Sequence, residues 1–175
     1  YNTWVDCASP FQIGVGQNKA SKDVLPKSEI RSAPPIRTVL ANNIIYNTTV
    51  DPAPVVNHDD MSGIQFENNI LFNAGDPADE FKIFKHVSIV MEQINDWLFV
   101  PAEGTNELLD ETYHGFDFDR ISQDIFGNNR SEKNRIGAVA NAAQAKSFQF
   151  DKSQYGPSWF DPAAEKPAPS IHKIS

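Results

Sequence analysis

Two stretches decide how this chain folds: "LANNIIYNTT", Leu40 to Thr49, and "FENNILFNAG", Phe66 to Gly75. They are nearly the same ten letters, 26 residues apart, and each carries an asparagine pair. Asn42-Asn43-Ile44-Ile45-Tyr46-Asn47 aligns with Asn68-Asn69-Ile70-Leu71-Phe72-Asn73. A third, weaker copy stands at Asn95-Asp96-Trp97-Leu98-Phe99-Val100, and an earlier one at Asn2-Thr3-Trp4-Val5-Asp6-Cys7, set apart by a longer insertion. A period of 20–50 residues signals stacked repeats. The repeated unit is a short apolar strand bounded by turn residues, with no helical periodicity of any length.

A unit of this size, stacked on copies of itself, is one coil of a β-solenoid, which buries its inward side chains against the coils above and below. The fold class expected is therefore all-β. Parallel strands of this kind need cover on both sides or a filled interior. An asparagine at one fixed point per coil has a specific use. Its amide hydrogen-bonds to the equivalent amide one coil away, and asparagine tolerates the left-handed backbone of a tight corner. Asn43 and Asn69 are expected to form such a structural ladder. Between the copies, Val55-Val56 and Ile64-Gln65-Phe66 read as further strands, and "EFKIFKHVSIVMEQ" alternates apolar positions at Phe81, Ile83, Val87 and Ile89.

Length and composition set the bounds. A chain of 175 residues is one domain or part of one, and 40% apolar content supplies a core. Coils are expected over 1–150. The Pro- and aromatic-rich tail over 151–175 is expected to lie extended or to cap the last coil with Tyr155, Trp159 and Phe160, since bare strand edges recruit other chains. No run of about 18 apolar residues occurs, so no membrane helix is expected. The opening "YNTWVDC" resembles the middle of a strand, and the chain is expected to continue a fold begun upstream. The single cysteine, Cys7, makes no internal disulfide, and the four histidines lack ligand spacing.

The net charge of −8 argues against a nucleic-acid partner. It is unevenly spread: residues 1–40 sum to +2, with Lys19, Lys22, Lys27, Arg31 and Arg37 against Asp6, Asp23 and Glu29. The insertion Gly14-Val15-Gly16-Gln17-Asn18-Lys19, running on to Lys22 and Arg31, breaks the coil period. Solenoid insertions gather on one face, often the binding face. Gln17, Asn18, Lys19, Lys22 and Arg31 are the candidate contacts for an anionic ligand, against the simpler role of covering the coil's side. His58-Asp59-Asp60 reads as a solvated turn rather than a metal or acid/base cluster. Adjacent Asp59 and Asp60 point to opposite faces of a strand and make a poor pair for glycoside hydrolysis. Asn47-Thr48-Thr49 and Asn129-Arg130-Ser131 fit the N-glycosylation pattern, which is common by chance.

"NTWVDCASPFQIGVGQN", "PPIRTVLANNIIYN", "GIQFENNILFN", "DIFGNNRSEKNRIGAV" and "DKSQYGPSWF", in this order, resemble the C-terminal part of the polysaccharide lyases of the chondroitinase B and alginate lyase family. The resemblance implies a right-handed parallel β-helix, of which this chain holds C-terminal coils and an extended capping tail. It implies β-elimination on an acidic polysaccharide, alginate or dermatan sulfate, with alginate favoured by the lack of sulfate-directed arginine clusters. It implies Ca²⁺ and cationic groups that neutralise the uronate carboxylate, a lysine base, and an arginine in an "RHG"-like motif that assists the leaving oxygen. No "RHG" occurs here, and no Asn/Glu cluster precedes a suitable lysine. None of this chain's residues is therefore assigned to base, acid or metal, and those groups are expected in an upstream part of the same helix. A polymer substrate implies a secreted or periplasmic protein. The alternative expectation is a non-catalytic β-helical carbohydrate-binding or structural module.

Overall fold

A computed structural model describes residues 1–14, 17, 19–26, 33–49, 53–73, 82–96, 98–102, 104–105, 109–115, 118–130 and 134–140. Among them the elements in order are β1 (Thr3–Val5), β2 (Phe11–Ile13), α1 (Lys19–Val24), β3 (Thr38–Ala41), β4 (Ile44–Asn47), β5 (Val55–Asn57), β6 (Ile64–Glu67), β7 (Ile70–Asn73), β8 (Lys85–His86), β9 (Met91–Asn95) and β10 (Leu98–Pro101). The regular elements of the described chain are thus mostly strands, with one short helix. The tail over 151–175, with Tyr155, Trp159 and Phe160, lies outside the described residues.

Strands β1 to β8 pair in parallel, and β1 to β7 follow a fixed cyclic order. β1, β4, β7 and β8 form a first sheet, β2 and β5 a second, β3 and β6 a third. The chain visits first, second and third sheet, returns to the first, and repeats. The two ten-letter copies stack in register: Ile44 faces Ile70, Tyr46 faces Phe72 and Asn47 faces Asn73. β3 and β6 keep the same offset, with Thr38 beside Ile64. Tyr46 and Phe72 stack ring on ring, 4.9 Å apart at 16°, which is the spacing of neighbouring strands.

Each asparagine pair divides its labour. Asn42 (φ 59°) and Asn68 (φ 47°) take the left-handed backbone that turns the third sheet into the first. Asn43 and Asn69 form the amide column. Asn2 Nδ2 donates to Asn43 Oδ1 at 3.0 Å, Asn43 Nδ2 to Asn69 Oδ1 at 2.7 Å, and Asn69 Nδ2 to the Leu40 carbonyl at 2.7 Å. The backbone N–H groups of Asn2 and Asn43 bind the same acceptors. The four asparagines of the two pairs sit away from solvent to differing degrees, and Asn42, Asn43 and Asn69 are fully buried. The earlier copy aligns one place over from the letter match: Thr3 pairs with Ile44, so Asn2 stands level with Asn43.

The third copy is not a stacked strand. Asn95 and Asp96 open a hairpin in which β9 and β10 pair antiparallel, with the Leu98 N–H donating to Asn95 Oδ1 at 3.0 Å. A parallel neighbour needs a crossover of a dozen or more residues. Only two separate these strands, so a local turn wins. The parallel partner of β7 is instead β8, with Ile70 beside Lys85. The alternation read through 81–89 also slips: Ile83 is 40% exposed while Phe84 enters the core. Phe81 and Trp97 lie outside the described residues.

Both faces of the first sheet are buried. Ile45 and Leu71 point into a cluster with Phe11 and Phe84, flanked by Trp4 of the same sheet and by Leu40, Val55 and Phe66 from the other two. Ile44 and Ile70 point the opposite way, into a cluster with Ile89, Met91, Leu109 and Ile136. This is why the repeat reads as a continuous apolar run rather than an alternating one. Each buried Ile or Leu contributes about 1.5–3 kcal/mol. The second cluster is supplied by the segment after β8, which folds back over the sheet. Gly137 seals this contact. Its N–H donates to the Asn42 carbonyl at 2.8 Å. Its φ is +92°, and a Cβ there would stand 2.6 Å from Ile44 Cδ1.

Two substitutions test this arrangement by urea or guanidinium unfolding. Asn43→Ala takes the acceptor from both Asn2 donors and leaves Asn69 Oδ1 with the backbone N–H of residue 43 alone, and is expected to cost about 2–3 kcal/mol. Asn43→Asp, which sets an oxygen against Asn69 Oδ1, is expected to cost more. Gly137→Ala meets both the left-handed backbone and Ile44 and is expected to cost at least about 2 kcal/mol.

Candidate binding face and its electrostatics

The insertion leaves the end of β2, directly above the place where β5 ends. At this level the chain from 14 to 37 joins the second sheet to the third, and at the next level the turn 58–63 does the same. The two connections touch. The His58 N–H donates to the Ile13 carbonyl at 2.9 Å, and a Cβ on Gly14 (φ +68°) would lie 2.4 Å from Asp59 Cβ. Glycine therefore allows the insertion to start against the acidic turn.

Of the five sequence candidates, three are described. The Gln17 N–H closes a single turn onto the Gly14 carbonyl at 2.8 Å, and its side chain is half-buried. Lys19 and Lys22 are exposed on α1, a six-residue helix. Neither is in an ion pair with a described residue. Asn18 and Arg31 lie outside the described residues.

The turn beside them is closed by its own hydrogen bonds. Asn57 Oδ1 accepts from the Asp59 N–H, and Asp60 accepts from the Ser62 N–H and hydroxyl at 2.8 and 2.7 Å. These Ser62 bonds hold the Asp60 carboxyl below its usual pKa. The turn is thus an anchored corner rather than an acid/base pair. Among the described residues no three His, Cys, Asp or Glu gather so as to hold a metal ion. The described residues thus offer no ligand set for the calcium that the family resemblance implies, and no step here runs through it. Among the described residues no helix is long and apolar enough to cross a membrane. Of the two glycosylation patterns, Asn47 is buried and Asn129 is exposed.

The motif "DIFGNNR" supplies titratable groups of a different kind. Asp124 is buried and accepts four hydrogen bonds, from the N–H groups of Phe126, Asn128 and Ala140 and from Asn128 Nδ2, all at 2.8–2.9 Å. Burial pushes its pKa up, but these bonds outweigh it, and the net pKa is lowered. Arg130, also buried, donates to the carbonyls of Gln123, Arg135, Gly137 and Ala138 and lies over the Tyr1 ring at 4.3 Å. Both tie the returning segment into a fixed shape. Their role is structural.

The sequence alone gave no sign of one exposed constellation on that segment. Thr112 Oγ1 stands 3.3 Å from His114 Nε2, and His114 Nδ1 stands 3.1 Å from Asp119 Oδ1. Threonine two residues before histidine is too common a pattern to single out, and the carboxylate comes from beyond a turn. Asn42 fixes the backbone there: its Oδ1 accepts from the Tyr113 N–H at 2.7 Å and its Nδ2 donates to the Tyr113 carbonyl at 3.0 Å.

Residues 1–119 match the family model described as Chondroitinase B. That span is well over half of the chain, and the chain belongs to the chondroitinase B family. Membership relates it to the polysaccharide lyases and to acidic polysaccharide substrates. No curated protein and no solved structure matches it.

The Asp124 carboxyl gives a pH prediction. A carboxyl whose folded pKa is lowered stabilises the fold above its unfolded pKa, about 3.9, and that stability is lost as pH falls through the folded value. Thermal melts are expected to fall steeply as pH drops below about 4. Asp124→Asn, which turns an amide toward N–H donors, is expected to cost about 2–3 kcal/mol at neutral pH and to flatten this acid limb.

Proposed function

We propose that the cyclic strand order represents successive coils of a right-handed parallel β-helix, and that this chain supplies C-terminal coils of a lyase acting on a uronate polymer, alginate first. The observation that carries this is the register of the two ten-letter copies, together with the amide column, inside a match to the chondroitinase B family.

Elimination at a uronate removes the proton beside the carboxylate and expels the 4-oxygen, so the carboxylate charge must be neutralised as the intermediate forms. The motifs for base, acid and calcium ligands are missing from this sequence, and the proposal places those groups in coils upstream. Here the insertion would hold the polymer away from the point of cleavage. Gln17, Asn18, Lys19, Lys22 and Arg31 would meet its carboxylates, and Gly14 would set the insertion's angle. A polymer of this kind is met outside the cytoplasm, so the protein would be secreted or periplasmic. A second reading is a non-catalytic β-helical carbohydrate-binding or structural module that keeps the same stacked strands without the chemistry.

Binding and turnover separate the two. The chain is expected to bind alginate more tightly than dermatan sulfate by calorimetry, with affinity falling as salt rises. The double change Lys19→Ala with Lys22→Ala is expected to weaken binding about tenfold, or about 1.4 kcal/mol. On its own the chain is expected to release no ultraviolet-absorbing unsaturated uronate. Joined to coils that carry the family's lysine and "RHG" motif, it is expected to support release. Product from the chain alone would overturn the placement of the catalytic groups, and binding unchanged in the double variant would remove the insertion from the site.

A further inference from the structure

The alignment Thr112–His114–Asp119 has no part in the elimination just described. Its order is hydroxyl, imidazole, carboxylate: Oγ1 to Nε2 at 3.3 Å, Nδ1 to Oδ1 at 3.1 Å. With its proton on Nδ1, the imidazole donates to Asp119 and leaves Nε2 to take a proton from Thr112. A nucleophile beside a base, with the base oriented by a third group, is the arrangement that activates a hydroxyl for acyl transfer, and such distances run slightly long without a ligand bound.

The surroundings set the kind of ligand. His114 and Asp119 side chains are 69% and 58% exposed, open enough for an extended chain to reach. Half-buried aromatic rings lie on the same segment: Tyr113 and Phe118 meet edge to face at 5.4 Å, and Phe118 meets Tyr1 at 5.9 Å. Such faces suit sugar rings. The support is rigid, since the buried Asn42 amide holds both backbone groups of Tyr113, the residue between Thr112 and His114.

We propose that Thr112, His114 and Asp119 form a second site that hydrolyses a carboxylic ester carried on a polysaccharide. Thr112 Oγ1 attacks the ester carbonyl and passes its proton to His114 Nε2. The bond to the sugar oxygen breaks and that oxygen takes the proton. Water then attacks the acyl-threonine and gives a proton to Nε2. The acid leaves, and Thr112 Oγ1 recovers the proton. Ester and water become alcohol and acid, with no further reactant. The site goes beyond the lyase proposal and does not rest on it.

The test uses the full chain with O-acetylated alginate and with p-nitrophenyl acetate. Acetate or nitrophenol release is expected above buffer. His114→Gln and Thr112→Val are each expected to lower it about a hundredfold, and Thr112→Ser, which keeps the hydroxyl, to retain it. The intact mass of acid-quenched protein is expected to show an acetyl group on the wild type and none on Thr112→Val. All three changes are at the surface, and matching melting temperatures confirm folding. Release by the wild type no faster than buffer, or equal release by His114→Gln, overturns the site. Unsaturated uronate is a different product, so failure here leaves the lyase proposal separately decided.

Discussion

A chain that leaves one sheet and enters another within two residues must solve two problems at that corner. One residue has to adopt a left-handed backbone, and the next has to satisfy buried polar groups where regular pairing breaks. Asn42 and Asn68 meet the first demand, Asn43 and Asn69 the second. Each column oxygen accepts both a backbone N–H and a side-chain amide from the level above. The column therefore fixes the register of the stack as well as filling its corner. A slip of one residue would turn Ile44 and Ile45 to each other's faces and break every one of these bonds.

Register in turn makes the two-sided core possible. Because Ile44 lies over Ile70 and Ile45 over Leu71, the first sheet presents one smooth apolar face inward and another outward. The outward face is closed by Ile89, Met91, Leu109 and Ile136, and the chain returns closely enough for Gly137 to touch Ile44 and for Thr3 Oγ1 to accept from the Ala138 N–H. The same corner residue that turns the strand also holds the returning segment, through the paired bonds between Asn42 and Tyr113. Corner, sheet and cover are thus a single connected unit.

The charged groups divide along similar lines. Asp124 and Arg130 are buried and spend their hydrogen bonds on backbone groups and, for Asp124, the Asn128 amide, which shapes the cover. Lys19 and Lys22 are exposed on the insertion. An anionic polymer that met them would desolvate no buried charge. His114 and Asp119 lie on the cover rather than on the insertion, so a polymer meeting one group would not have to meet the other.

The sequence by itself determined the strands, their all-β class and the parallel stacking of the two central copies, because a repeat that carries the same residue at the same place must satisfy it in the same way at every level. It also located the amide column at Asn43 and Asn69, since a buried polar side chain recurring in an apolar run needs a like partner. It misplaced the Asn95 copy and Ile83, where letter similarity competed with the local preference of Asn95-Asp96 to close a hairpin. Only the tertiary structure decided what covers the outer face of the first sheet, how the two asparagines of each pair share their work, and that Thr112, His114 and Asp119 stand together. Those contacts join residues far apart or across irregular turns, where no periodicity connects cause to position, and packing alone selects the partner.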